Sequence, residues 1–388
     1  MSEQFLFQLD NRLMYGVGRS RELGAFVRER GIGRVLVAVD AGVARHSTYY
    51  REILEIVAAA AQTTVETLRD TEEPDYDYLD EVAARLRQAE RPDLLIAIGG
   101  GSCLDMGKAL AVLLTNPGKG IDYRGFDKVR APGVPTLLIP TTAGTGSEVT
   151  INAVFTDKRE MRKLGINGRH LSATWALLDA EWTLSCPRAA AVSAGMDAMV
   201  HTLESFMCRQ HNALTRIFSR EAFRLLHRDL PCLLEEPGNL ERRQNLLFAA
   251  YLAGAALFNS GSGIAGAFSY PLGVNYKIPH GICGAVFVAS VVEYNAARGY
   301  GDYAELLEIV EPGSALPRDA QSRRFAVLLR ALCDRLEVPR TLAHWGVGLE
   351  DAADIERGLL PLQAAFDQNP IAFSAQRDAP ELLRRHLA

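Results

Sequence analysis

No stretch of this chain is apolar for long enough to cross a bilayer. The longest uninterrupted run, Leu246 to Phe258, falls short of the roughly 18–20 residues a span needs and reads as a buried helix. No two cysteines form a CxxC pair, and six scattered over 388 residues supply neither a disulfide framework nor a structural zinc knuckle. No block of Lys and Arg stands out either: 42 basic against 47 acidic side chains leave a formal charge of −5, which argues against nucleic acid as a partner. The opening MSEQFLFQLDNR carries two acids and lacks the apolar core and small-residue cleavage site of a secretion signal. These absences point to a reduced, cytoplasmic protein that works on small molecules, with no membrane and no nucleic-acid partner.

What is present is core. At 48% apolar, the length suggests two or three domains. Val35–Val39, Leu94–Ile98 and Thr136–Ile139 are short aliphatic runs bounded by Gly, Pro or Asp, as expected of strands buried on both faces of a parallel sheet. Between them lie amphipathic segments, clearest from Asp77 to Ala89, where Leu79, Val82, Ala83 and Leu86 follow helical spacing. Strand–helix alternation predicts a doubly wound α/β domain over residues 1–185. Beyond Pro187 strand-like runs become scarce and long helical patterns dominate, at 214–230, 245–258 and 323–336. Residues 186–388 are therefore expected to form an all-α domain.

Directly after the strand ending at Ile98 comes Gly99-Gly-Gly-Ser-Cys-Leu-Asp-Met-Gly-Lys108. Three glycines let backbone approach a ligand, and the helix that follows aims free N–H groups at an anion, as a pyrophosphate requires; the same segment serves equally as a structural strand-to-helix turn. A second loop, Pro140-Thr-Thr-Ala-Gly-Thr-Gly-Ser-Glu-Val-Thr150, sets hydroxyl side chains among glycines after another strand, which suits ribose and diphosphate oxygens. Asp40 ends the strand 35–39, where a carboxylate either binds a ribose diol and repels a 2′-phosphate, favouring NAD over NADP, or simply caps a helix. In the helical half Asp197 and His201 stand one turn apart, with Cβ atoms about 5–6 Å from each other, which is ligand spacing for a divalent metal and also an ordinary solvent-face pair. His280, between Pro279 and Gly281, has a fixed backbone that aims its side chain. Asp197, His201 and His280 together would make a two-His, one-carboxylate set for iron(II) or zinc.

In this order the pieces resemble the iron-containing (group III) alcohol dehydrogenase family, related to dehydroquinate synthase and glycerol dehydrogenase. The motifs that carry the resemblance are Tyr15-Gly-Val-Gly18, GGGSCLDMGKA, IPTTAGTGSEVT, KLGIN, LLDAEWTLSCP, GMDAMVHTLES and YPLGVNYKIPHG. The resemblance implies an N-terminal α/β domain that binds NAD, a helical domain that holds the metal, catalysis in the cleft between them, and a homodimer. By match to the family's motifs, Asp40 would discriminate between cofactors. Gly99, Gly100, Gly101 and Ser102 would hold the diphosphate, with Asp105 in the same cofactor segment. Thr141, Thr142 and Thr145 would line the adenine and ribose path, and Lys163 would reach the nicotinamide ribose. Asp197, His201 and His280 fall on three of four metal-ligand positions.

The pattern breaks at two places. The family's remaining ligand is a histidine fourteen residues before the one matching His280, and a further histidine follows that ligand by four; here these are Gly266 and Tyr270. Several readings follow: a three-ligand metal site with an open position, a metal-independent reductase of the maleylacetate reductase type, and a non-catalytic binding protein. A dehydroquinate synthase-like lyase is another, but it needs basic residues for a substrate phosphate and finds only Lys277 near the metal motifs. Tyr270, Asn116-Pro-Gly and Tyr123–Asp127 also resemble the branch acting on 3-deoxy-octulosonate sugars, which points to a polar, polyhydroxylated alcohol or aldehyde. The expected reaction is reversible hydride transfer between NAD(H) and such a substrate, with Tyr270 and His280 as catalytic side chains.

Overall fold

The three aliphatic runs read as strands lie side by side at the centre of one sheet. In the computed structural model, which describes residues 4–69 and 73–387, the strands are β1 Arg12–Tyr15, β2 Arg34–Asp40, β3 Gln62–Leu68, β4 Leu94–Gly99, β5 Gly125–Phe126, β6 Thr136–Pro140, β7 Asn152–Asp157, β8 Arg162–Asn167 and β9 Trp175–Leu178. Residues 1–3, the start of the segment tested above for a secretion signal, lie outside the described residues. The main sheet runs β1-β9-β6-β4-β2-β3, parallel at every pairing, with Val37 beside Ile96 and Ile96 beside Leu137. A smaller sheet runs β5-β8-β7.

Alternation places Val35, Val37, Val39, Ile96 and Ile98 in one core and Leu36, Ala38, Leu95 and Ala97 in the other. Each buried Leu or Ile contributes about 1.5–3 kcal/mol, so β2 and β4 are committed to the interior on both faces. Of the strands not read as aliphatic runs, β9 lies within the main sheet between β1 and β6 and is largely buried, and the others lie at its edges or in the smaller sheet. β3 is an edge strand whose residues are mostly exposed or half-buried, so Gln62-Thr-Thr-Val-Glu-Thr-Leu68 needs little apolar side chain. β7 and β8 form an antiparallel hairpin of alternating burial.

The helices of the first half are α1 Leu23–Glu29, α2 Ala41–His46, α3 Thr48–Ala58, α4 Tyr76–Leu86 and α5 Gly101–Leu113. α4 realises the helix expected over 77–89, beginning one residue earlier because the Asp75 side chain caps it, accepting from the Tyr78 N–H at 2.8 Å. β2 pairs with β3 on one side and β4 on the other, so the winding direction reverses between β2 and β4. In open parallel sheets ligands bind outside the carboxyl ends of the strands at such a reversal.

Beyond Leu178 the described residues contain helices and no strand: α6 Arg188–Met207, α7 Ala213–Asp229, α8 Leu240–Phe258, α9 Ile264–Tyr276, α10 His280–Ala297, α11 Ala304–Val310, α12 Arg318–Arg335, α13 Ala352–Leu359, α14 Gln363–Phe366 and α15 Ala379–Arg384, with short 3-10 turns among them. The apolar run 246–258 lies in α8, and no described helix is long and apolar enough to cross a membrane. By compactness the chain divides into two units. One is Leu9–Ala191 with Glu236–Tyr251; the other is Val192–Glu235 and Leu252–Ala388 with the N-terminal residues to Gln8. In the second, α9 and α10 pack through Phe268 stacked on Phe287 at 4.1 Å, and left-handed Lys277 (φ 54°) ends α9 three residues before α10 begins at His280.

Candidate metal centre and nucleotide loops

Asp40 and Gly99 end the neighbouring strands β2 and β4. The Asp40 carboxylate caps α2, accepting from the N–H groups of Gly42 and Val43 at 2.8 and 3.1 Å, so one oxygen serves the fold whatever the other does. Gly99 has no room for a side chain: a Cβ there would stand 2.4 Å from Cys103 Cβ and 3.1 Å from Asp40 Cβ. Cys103 packs beneath the loop with its thiol pushed far up by burial, which makes it an inert core residue. Gly100 is the N-cap of α5 and brings no side chain to the first turn, while Gly101 and Ser102 are half-buried.

The second loop packs directly on the first. Thr141 N–H donates to Gly99 O at 3.0 Å, and a Cβ on Gly101 would lie 2.6 Å from the Thr145 methyl. Thr141 is buried, whereas Thr142 and Thr145 are half-buried. Asp105 does not face solvent. Its carboxylate accepts from the Ser147 hydroxyl at 2.5 Å and the Val154 N–H at 2.8 Å, and pairs with Lys108 at 3.0 Å. Lys108, buried completely, donates to the carbonyls of Ser147 and Asn152. Asp105 and Lys108 therefore act as an internal clamp that shapes the threonine loop. Lys163 on β8 is ion-paired to Glu73 and almost wholly buried. Glu148, in the same loop, is pushed up to about 7 by burial, with Lys108 pulling it the other way.

In the other unit, α6 carries Asp197 and His201 on one face, and α10 begins at His280 against that face. His201 Nε2 lies 3.5 Å and His280 Nε2 3.8 Å from Asp197 Oδ1, and the three ligating atoms all lie within 4.8 Å of one another. Around an ion bonded at about 2.1 Å, tetrahedral ligands stand roughly 3.4 Å apart and no pair can exceed about 4.2 Å, so the two distances to Asp197 Oδ1 already suit one cation. Burial grades from Asp197, buried, through His201 to His280, whose side chain is 37% exposed. His201 Nδ1 is buried with no hydrogen-bond partner in the structure. Two imidazoles and a carboxylate form a donor set that suits iron(II) or zinc.

Gly281 makes this convergence possible. A Cβ there would lie 2.0 Å from the Ser193 carbonyl oxygen and 3.0 Å from Asp197 Cβ, so α10 reaches α6 only because residue 281 has no side chain. The sequence marks Gly281 as a fixed-backbone neighbour of His280; its clearance against α6 shows only in the structure. Glu204, a residue the sequence reading does not single out, continues the stripe of Asp197 and His201 by another turn of α6. Gly266, in the first turn of α9, contributes only a backbone N–H, which donates to Glu204 at 2.8 Å. Tyr270 stands one turn further along α9 and is 37% exposed.

Residues 10–180 match the family model described as iron-containing alcohol dehydrogenase, and residues 191–386 match its C-terminal counterpart. The NAD-dependent methanol dehydrogenase of Bacillus methanolicus is 31% identical over 337 residues, spanning 87% of this chain and 88% of that one. The chain belongs to the iron-containing alcohol dehydrogenase family. Among solved structures, a 1,3-propanediol oxidoreductase superposes with a TM-score of 0.91 at 24% identity, over 99% of this chain and all of that one. The sulfoacetaldehyde reductase of Bifidobacterium kashiwanohense, solved with NAD+, superposes with a TM-score of 0.89 at 24% identity over the full length of both. At that identity these two likenesses establish the shared fold. The family membership agrees with the resemblance read from the motifs.

Proposed function

We propose that the chain is an NAD(H)-dependent alcohol dehydrogenase or aldehyde reductase for a small polar or polyhydroxylated substrate, with a divalent metal site of three protein ligands, Asp197, His201 and His280. The observation that carries this reading is the meeting of those three donors within 4.8 Å in a member of this family. Relatives named for methanol, 1,3-propanediol and sulfoacetaldehyde support a short, polar substrate.

When bound, the dinucleotide supplies hydride chemistry and the divalent ion supplies a Lewis acid for the substrate oxygen. The chain's own groups do the rest. Gly99, Gly100, Gly101 and Ser102, with the first-turn N–H groups of α5, would hold the diphosphate, and Thr141, Thr142 and Thr145 would line the adenine and ribose path. Asp40 disfavours a 2′-phosphate by charge, hence NAD over NADP. Tyr270, exposed on α9 where relatives carry a histidine, passes a proton to or from the substrate oxygen. Residues 1–185 thus serve the cofactor and 186–388 the metal, in a homodimer.

Purified protein is expected to oxidise NADH with a panel of short hydroxy-aldehydes, to lose that activity on mild chelation and to regain it with iron(II) or zinc. Tyr270→Phe is expected to lower turnover by about 100-fold or more and to change its pH profile; an unaltered profile removes Tyr270 from the reaction. One observation favours a second reading, a metal-independent reductase: Gly266 offers no side chain where the family's fourth ligand stands. Full activity in metal-free protein would establish that alternative. A lyase of the dehydroquinate synthase kind would show no net change in NADH.

A further inference from the structure

Glu204 is 1% exposed, and its carboxylate closes the first turn of a helix that is not its own. The N–H groups of Gly263 and Gly266 donate to its two oxygens at 2.7 and 2.8 Å. Gly263 is the N-cap of α9 and has no side chain with which to cap it. A serine at 263 would do that work from within the helix and at far smaller desolvation cost, because an ionised carboxylate is among the most expensive groups to bury. Capping alone leaves the charge unexplained.

The charge count of the neighbourhood supplies a reason. Asp197, His201 and Glu204 occupy positions i, i+4 and i+7 of α6, one face of the helix. Both carboxylates are buried, and among the described residues neither has a Lys or Arg within salt-bridge distance; Asp197 meets only His201 and His280. Burial pushes Glu204 up, and the α9 amides and His201 pull it back towards the charged form. Buried charge is normally paired or set against a metal ion. With both carboxylates ionised, this face of α6 would carry two negative charges, which one divalent cation would cancel.

We propose that Glu204 is a positioning residue for the cation site: standing outside the three converging donors, it supplies the second negative charge that a divalent ion balances and fixes α9, with Gly266 and Tyr270, against that ion. This inference rests on the metal-bound reading above and adds a fourth residue to what determines affinity. The test is a Zn(II) titration of metal-free full-length protein against a fluorescent chelator, with thermal unfolding of the same samples. Glu204→Gln keeps the shape and removes the charge; it is expected to weaken Zn(II) binding about tenfold, the low end of what a carboxylate bonded directly to a ligand is worth, because Glu204 bonds the α9 amides instead. Adding Gly263→Ser to Glu204→Gln supplies a cap, although its Cβ would stand 3.1 Å from the residue-204 Cδ and that side chain must give by a few tenths of an ångström; unfolding of the metal-free protein should move back towards the parent temperature while Zn(II) affinity stays low. Parent-like affinity in Glu204→Gln, or affinity regained in the double variant, would overturn the role of the charge. A parent protein that binds no divalent ion would bring down this inference and the metal-bound reading together, whereas tight binding by parent and variant alike overturns the inference alone.

Discussion

The substitution Gly281→Ala tests whether the close crossing of α6 and α10 builds the metal centre. A Cβ at 281 would meet the Ser193 carbonyl oxygen at 2.0 Å, its carbon at 2.8 Å and Asp197 Cβ at 3.0 Å. None of these atoms can rotate away, because two are main chain and the third is fixed by it. Carbon and carbonyl oxygen approach comfortably only to about 3.3 Å, so α10 must retreat by more than about 1 Å. His280 is the preceding residue and retreats with it. Its Nε2 now lies 3.8 Å from Asp197 Oδ1. At about 5 Å the pair would exceed the roughly 4.2 Å that one ion can bridge with two bonds of about 2.1 Å. The variant should pay about 1–3 kcal/mol for overpacking and lose metal affinity by about 100-fold or more. Thermal unfolding with and without Zn(II) measures both effects, since bound metal stabilises the folded state according to its concentration over Kd. A folded Gly281→Ala protein with the parent's Zn(II)-dependent shift would refute the reasoning.

Other consequences are equally direct. Gly266→His should raise metal affinity by adding a fourth ligand; its Cβ would meet Glu204 Oε2 at 2.9 Å, so that carboxylate must shift and its bonds to the α9 amides loosen, and unchanged binding by calorimetry would show that residue 266 does not face the ion. Asp179→Ala should cost about 3 kcal/mol or more in chemical denaturation, because the buried carboxylate accepts from Gly18 and Ser20 N–H, the Ser20 hydroxyl and the Tyr49 hydroxyl, all of which lose their acceptor. His386 is depressed below 6.5 chiefly by burial, so it folds neutral and its stabilisation is complete above pH 6.5 and lost as pH falls through its folded-state value. Unfolding free energy should therefore decline on acidification, and less steeply in His386→Gln; equal slopes would contradict this.

How much of this was legible beforehand depends on whether a feature is local. The aliphatic runs at 35–39, 94–98 and 136–139 announced central strands because a strand buried on both faces can hold little else. Edge strand β3 and the β7–β8 hairpin gave no such notice, since exposed positions tolerate polar residues and their pairing is decided by distant partners. Asp197 and His201 could be paired from spacing alone, because helical geometry puts residues four apart on one face. Motif order sufficed to place the chain in its family. What only the folded chain decided is how separate segments meet: that His280 reaches Asp197 through the gap left by Gly281, that Asp105 and Lys108 turn inward as a clamp, and that Glu204 reaches across to the first turn of α9. Those relations span 39 to 83 residues or depend on sub-ångström clearance, and a linear pattern carries no term for either.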